Sequence, residues 1–163
     1  MNDDLNDNLV RIPLKVENSR VGREIVLAEE GISDGNYILR NIPAFADGVA
    51  YGDHIHLCDT ESGEFKIVQR SGQVTLRIFS LGGLEKKEIH SLIAKVVDLG
   101  GSFEVGKENT APNKRSLLLV SLDINIGFEE IERLMQSISD CGDIWEYGNI
   151  YKIDGTPIGW WEQ

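Results

Sequence analysis

The chain has 163 residues, with 41% hydrophobic and 26% charged positions. A chain of this length buries roughly 70% of the surface its unfolded form exposes, so it needs no disulfide or metal staple to fold. Sixteen Lys and Arg against 27 Asp and Glu give a formal charge of −11. That charge is repelled by phosphate backbones and anionic lipid, which argues against a nucleic-acid or membrane-surface partner and for a basic protein partner.

No apolar run approaches the ~20 residues needed to cross a bilayer. The opening stretch, Met1 to Asn8, is acidic and polar, unlike a secretory leader. The two cysteines, Cys58 and Cys141, lie far apart in apolar contexts. They read as reduced, buried or half-buried thiols, and the expected compartment is the cytoplasm.

Residues 1–8 read as a disordered acidic tail. Val10, Ile12, Leu14 and Val16 then alternate with Arg11, Pro13 and Lys15, a half-buried strand that Pro13 places at an edge. Glu24 to Glu29 and Tyr37 to Asn41 form a hairpin around Glu30–Gly35. Asn41 to Gly48 is an irregular loop. His54 to Cys58 and Glu64 to Arg70 alternate again about a turn at Asp59–Gly63. Residues 9–72 therefore predict an antiparallel β subdomain, closed as a small barrel or strongly bent into one sheet.

From Ser71-Gly72 the rhythm changes. Val74 to Ser80 is a strand, and Glu85 to Asp98 repeats at helical period through Ile89, Leu92, Ile93, Val96 and Val97. Ser102 to Val105 is a short strand. Leu117 to Asp123 is the most apolar stretch and reads as a central strand. Phe128 to Asp140 is helical through Ile131, Leu134, Met135 and Ile138, with Glu129 and Glu130 in the first turn where the helix dipole favours anions. Ile144 to Tyr147 and Ile150 to Ile153 are strand-like. Strand, helix, strand, strand, helix, strand over 73–153 is the ferredoxin-like order, with both helices on one sheet face. Residues 154–163 form a C-terminal tail. The fold class is α+β.

The segments Asn41-Ile42-Pro43-Ala44-Phe45, Tyr51-Gly52-Asp53 and Arg70-Ser71-Gly72-Gln73-Val74-Thr75-Leu76-Arg77 resemble, in order and spacing, the bacterial domain-of-unknown-function family 4265. The resemblance spans roughly residues 13 to 147. One departure is that Ala44 stands between Pro43 and Phe45, where the family turn reads Pro-Phe. The resemblance implies a small cytoplasmic bacterial protein with no assigned reaction, whose relatives look like occasional passengers in toxin–immunity loci.

Two groupings could carry chemistry. His54, His56 and Cys58 share one strand face, but three residues two apart span about 13 Å, too far for one ion, so ordinary packing is expected and no metal or cofactor. Arg70, Ser71, Thr75 and Arg77 could hold an anionic metabolite through guanidinium groups and backbone N–H. The plainer reading is a linker whose arginines pair with local acids such as Asp53. No nucleophile elbow or phosphate loop is present, and no enzyme is expected.

Residues 123–163 carry nine acids and two bases, Arg133 and Lys152, so most of the excess charge lies in the last quarter. Trp145, Tyr147, Tyr151, Trp160 and Trp161 stand among those acids. Aromatic anchors inside a charged rim suit a protein-binding surface. The expected function is a non-enzymatic inhibitor, an immunity protein for a basic toxin domain, with Trp160 and Trp161 as anchors and Asp140, Asp143 and Glu146 as steering charges. The alternative is a domain that binds an anionic metabolite.

Overall fold

The structure, a computed structural model, describes residues 8–17, 20 and 22–163. The acidic tail expected over 1–8 lies, apart from Asn8, outside the described residues.

The first sheet is an antiparallel meander of β1 (Leu9–Lys15), β2 (Arg23–Glu30), β3 (Asn36–Leu39), β4 (His54–Leu57) and β5 (Phe65–Gln69), in that spatial order. Period-two alternation sends Ile12, Leu14, Val26, Ala28, Leu39, Ile55 and Leu57 to one face, where they form a core with Ala46 and Val49. The small barrel is not formed: among the described residues β1 and β5 do not pair, and the sheet stays open. The reason lies in the long connection between β3 and β4. It folds over the inner face and supplies the cover that closure would otherwise provide.

The second sheet has β7 (Ser102–Lys107), β8 (Arg115–Asp123), β6 (Gln73–Leu81) and β9 (Ile144–Tyr147) in the order β7-β8-β6-β9, with every pair antiparallel. Helix α1 (Lys87–Asp98) follows β6, and α2 (Phe128–Asp140) follows a single 3-10 turn after β8. Both helices pack on the same face. Ile89, Leu92 and Val96 of α1 and Ile131, Leu134, Met135 and Ile138 of α2 meet Val74, Leu76 and Ile78 of β6 and Leu118, Val120 and Leu122 of β8.

The opposite face of β6 and β8 is covered by the same β3–β4 loop: Ile42 clusters with Leu117 and Leu119, and Ala44, Tyr51 and Phe79 pack beside them. These two central strands are thus buried on both sides, which is why Leu117–Val120 reads as an unbroken apolar run.

Two local expectations are corrected. Residues 150–153 form no strand; they enter a turn held by the Lys152 N–H to Thr156 O bond and an isolated bridge between Tyr151 and Pro157. Both cysteines are exposed rather than buried. Cys58 follows the end of β4 on the outward side, and Cys141 sits just past α2, where no layer covers it. No helix among the described residues is long and apolar enough to cross a membrane.

Candidate functional site

The two sheets are joined by a set of polar ties, some buried and some at the surface, centred on the β3–β4 loop. Glu24 of β2 accepts from three successive loop amides, Ala44 N at 3.0 Å, Phe45 N at 3.0 Å and Ala46 N at 2.6 Å. Glu104 of β7 accepts from Ile42 N at 2.6 Å and from the Asn41 side chain at 3.1 Å. Each carboxylate satisfies loop amides that a covering segment cannot pair in a ladder. Asp53 is 1% exposed and accepts from Ala50 N and Ser71 N. Burial pushes its carboxyl above the ordinary range, opposed by those two N–H bonds and by Arg70.

Arg70, Ser71, Thr75 and Arg77 belong to this tie. Arg70 donates to Gly48 O at 2.5 Å, lies 3.6 Å from Asp53, and stacks 5.5 Å above the Trp160 ring. Burial lowers its pKa, with Asp53 pulling the other way. The Ser71 hydroxyl donates to Tyr51 O. The Arg77 guanidinium is shared between Asp47 at 2.8 Å, Glu146 at 3.2 Å and Ala46 O at 2.8 Å. Two carboxylates already surround Arg77, so an incoming anion meets net negative charge there. Thr75 Oγ1 and Arg77 Nε are buried without a partner among the described residues. Gly148 closes over this pair: a Cβ there would come within 2.9 Å of the Thr75 methyl and 3.3 Å of Arg77 Cζ.

The acidic and aromatic residues of the last quarter separate into two sets. Asp143 faces inward: Ser80 Oγ at 2.8 Å, Leu81 N at 3.0 Å and Lys86 Nζ at 3.0 Å all donate to it, and its side chain is 1% exposed. Burial alone raises its carboxyl, but Leu81, Lys86 and Ser80 together outweigh that and hold it below the ordinary value. Asp143 is therefore an internal ion-pair partner and not the surface steering charge expected of it; its neighbours, Ser80 on β6 and Lys86 at the N-cap of α1, are distant in sequence.

Trp160 and Trp161 pack back onto the helix-side core, edge to face with each other at 5.8 Å and with Phe128 at 5.3 Å from Trp161. Trp160 Nε1 donates to Asn149 O. They are half-buried, which leaves them little free face as anchors. Asp140 is exposed, bonded by Gln136, and Glu146 has about half its side chain in water at 52%.

Sequence reasoning missed what stands beside them. Ile144, Tyr151 and Ile153 are 53%, 43% and 48% exposed. Together with Trp145, Glu146, Tyr147, Asp47 and Arg77, Tyr151 and Ile153 border a groove of about 470 Å³ along β9. The available signal is Tyr151-Lys152-Ile153-Asp154, two large apolar residues alternating with charges next to a turn at Gly155, a pattern that overlaps the strand expected over Ile150 to Ile153. Tyr147 is walled in by Phe128, Trp145 and Tyr151, and burial plus the Glu132 carboxylate beside its hydroxyl raise its pKa. His54, His56 and Cys58 all face solvent, with His56 Nδ1 2.7 Å from Asn36 Oδ1. Among the described residues no group of three or more His, Cys, Asp or Glu is placed to hold a metal.

The architecture is thus a mixed α+β protein of two antiparallel sheets, joined by a loop that polar side chains strap down on both sides. The chain belongs to the family described as Domain of unknown function (DUF4265), whose model matches residues 24–146. The segments that carried the resemblance, Asn41–Phe45, Tyr51–Asp53 and Arg70–Arg77, converge in space on that loop. The chain is also similar to a solved structure titled "Novel crystal structure of a hypothetical protein from Neisseria gonorrhoeae", at 19% identity and a TM-score of 0.61, over 86% of this chain and 91% of that one. A likeness at this identity speaks to the fold alone. A search of curated proteins gives no match.

Proposed function

We propose that the protein is a non-enzymatic, protein-binding inhibitor, an immunity protein that neutralises a bacterial toxin domain in the cytoplasm. The observation that carries this reading is the surface along β9. There Ile144, Tyr151 and Ile153 are exposed, and Asp140, Glu146 and Asp154, each within four residues of one of them in the sequence, are exposed too. Apolar anchors within a charged rim are the composition of a protein interface. The acidic excess steers a basic partner, and a toxin that holds phosphate must itself be basic.

The anionic-metabolite alternative is weaker. Arg70 Nη1, the Ser71 hydroxyl and both terminal nitrogens of Arg77 are already bonded within the protein, and Asp47 and Glu146 oppose a second anion. The strand order β7-β8-β6-β9 with two crossover helices further supports assigning residues 73–153 to the ferredoxin-like arrangement.

Co-expression with the product of the neighbouring gene tests the function. That product should be toxic alone, harmless with this protein, and recovered with it on pulldown. Association should slow as salt rises, and slow further in the double variant Asp140→Lys, Ile144→Lys, which leaves the buried Asp143 untouched. A harmless neighbour, or one still toxic in the presence of abundant inhibitor, overturns the reading.

A further inference from the structure

Strand β9 is the outer strand of its sheet and pairs with β6 alone. Glu146 lies opposite Arg77 and Ile144 opposite Phe79, while the Gly148 N–H donates to Thr75 O. Hydrogen-bonded and open positions alternate in an antiparallel pair, so Ile144 and Glu146 turn their backbone groups toward β6, as does the Gly148 N–H, while the Gly148 C=O accepts from Gly48 N of the β3–β4 loop. The N–H and C=O groups of Trp145 and Tyr147 then point away from the sheet. Among the described residues they make no backbone bond outside it.

Edge strands usually carry a device that prevents further pairing. The other three edges here do: β1 has Pro13 and Lys15, β5 has Lys66, and β7 has Lys107 and a register shift against β8. Strand β9, Ile-Trp-Glu-Tyr, is short and carries one acid, Glu146, but has neither proline, lysine nor register shift.

The groove described above follows this edge. Arg77 and Glu146 form an ion pair on the loop-covered face, whereas Trp145 and Tyr147 reach Ser139 and Glu132 of α2 on the helix face. A groove that touches all four must run along the strand's rim. In it Asp47 and Glu146 share the Arg77 guanidinium, and Glu146 keeps about half its side chain, 52%, in water. Lys152 also lines the groove, from the turn that runs to Gly155.

We infer that β9 receives an extended segment of a protein partner by strand addition, with a Lys or Arg beside Glu146 and Asp47 and apolar residues on either side against the aromatic rings. The inference rests on the protein-binding reading and names its mode of recognition.

The test uses the full chain, labelled with nitrogen-15, and a blocked seven-residue peptide of alternating threonine and valine with a central lysine. At millimolar peptide the Trp145 and Tyr147 amides should shift and exchange with solvent about tenfold or more slowly. The same peptide N-methylated at its pairing positions keeps its charge and should leave both amides unchanged. A central glutamate should weaken binding several-fold. The inference is overturned if neither amide responds, if the response maps to another surface, or if the N-methylated peptide acts equally well. It is also overturned, while the protein-binding reading stands, if a neutralised toxin is bound with Trp145 and Tyr147 still exchanging freely.

Discussion

Asp143 is an acid whose charge does not reach the surface. Its carboxylate is held by Ser80, Leu81 N and Lys86 from two other elements, and its folded pKa lies below the ordinary aspartate value. A depressed pKa means that its stabilisation is complete above the unfolded value near 4 and is lost as pH falls through the lower folded value. Asp143→Asn keeps the shape but sets an amide against the Lys86 ammonium. The variant should lose about 1–3 kcal/mol at neutral pH. The gap to the wild type should close below about pH 4. Urea unfolding at several pH values measures this, and a variant as stable as the wild type at pH 7 would contradict the assignment. Asp53 has the opposite sign, since its raised pKa adds stability as pH falls, but it titrates in both proteins and so cancels in the comparison.

At the scale of elements, periodicity located most of the structure because it is a local property. Helix α2 spans Phe128–Asp140 and β9 spans Ile144–Tyr147, the ranges the patterns predict. Residues 150–153 alternate equally well but find no partner strand, and alternation without a partner yields only a turn and a bridge. The β3–β4 loop has no period at all, so its role depends on what holds it. Removing the Glu24 carboxylate leaves the Ala44, Phe45 and Ala46 amides without their acceptor. Glu24→Ala should cost about 1–3 kcal/mol. Its signature is local: the Ala44 and Ala46 amides should exchange about tenfold faster or more, while those of α2 keep their relative protection. Uniform acceleration throughout the chain would mean that the loop is held by something other than Glu24.

The whole molecule has two cores but one joint. Leu117, Leu119 and Phe79 belong to the second sheet and are covered by Ile42, Ala44 and Tyr51 of the first half. Burying each of Ile42, Leu117 and Leu119 is worth roughly 1.5–3 kcal/mol, and Arg77, Glu104 and Asp53 add polar ties across the same joint. Calorimetry should therefore show a single unfolding transition for the intact chain. A fragment beginning at Gly72 should expose this face and either aggregate or lose fixed side-chain packing. Two resolved transitions, or a fragment with native-like spectral dispersion, would show that the halves fold independently.

The sequence by itself determined where most strands and both α-helices lie, and that acid is concentrated in the last quarter. These follow from periods of 2 and 3.6 and from composition, which need no knowledge of distant neighbours. Tertiary structure alone decided which charges are spent. Arg77 meets Asp47 across 30 positions and Asp143 meets Ser80 across 63. A charge enters the interior only where such a partner offsets its desolvation, and no local pattern announces the partner. The same folding turned Trp160 and Trp161 inward and left Ile144, Tyr151 and Ile153 in water. That selection reflects which side chains the second core had room to cover, a property of the packed molecule and not of its residues taken in order.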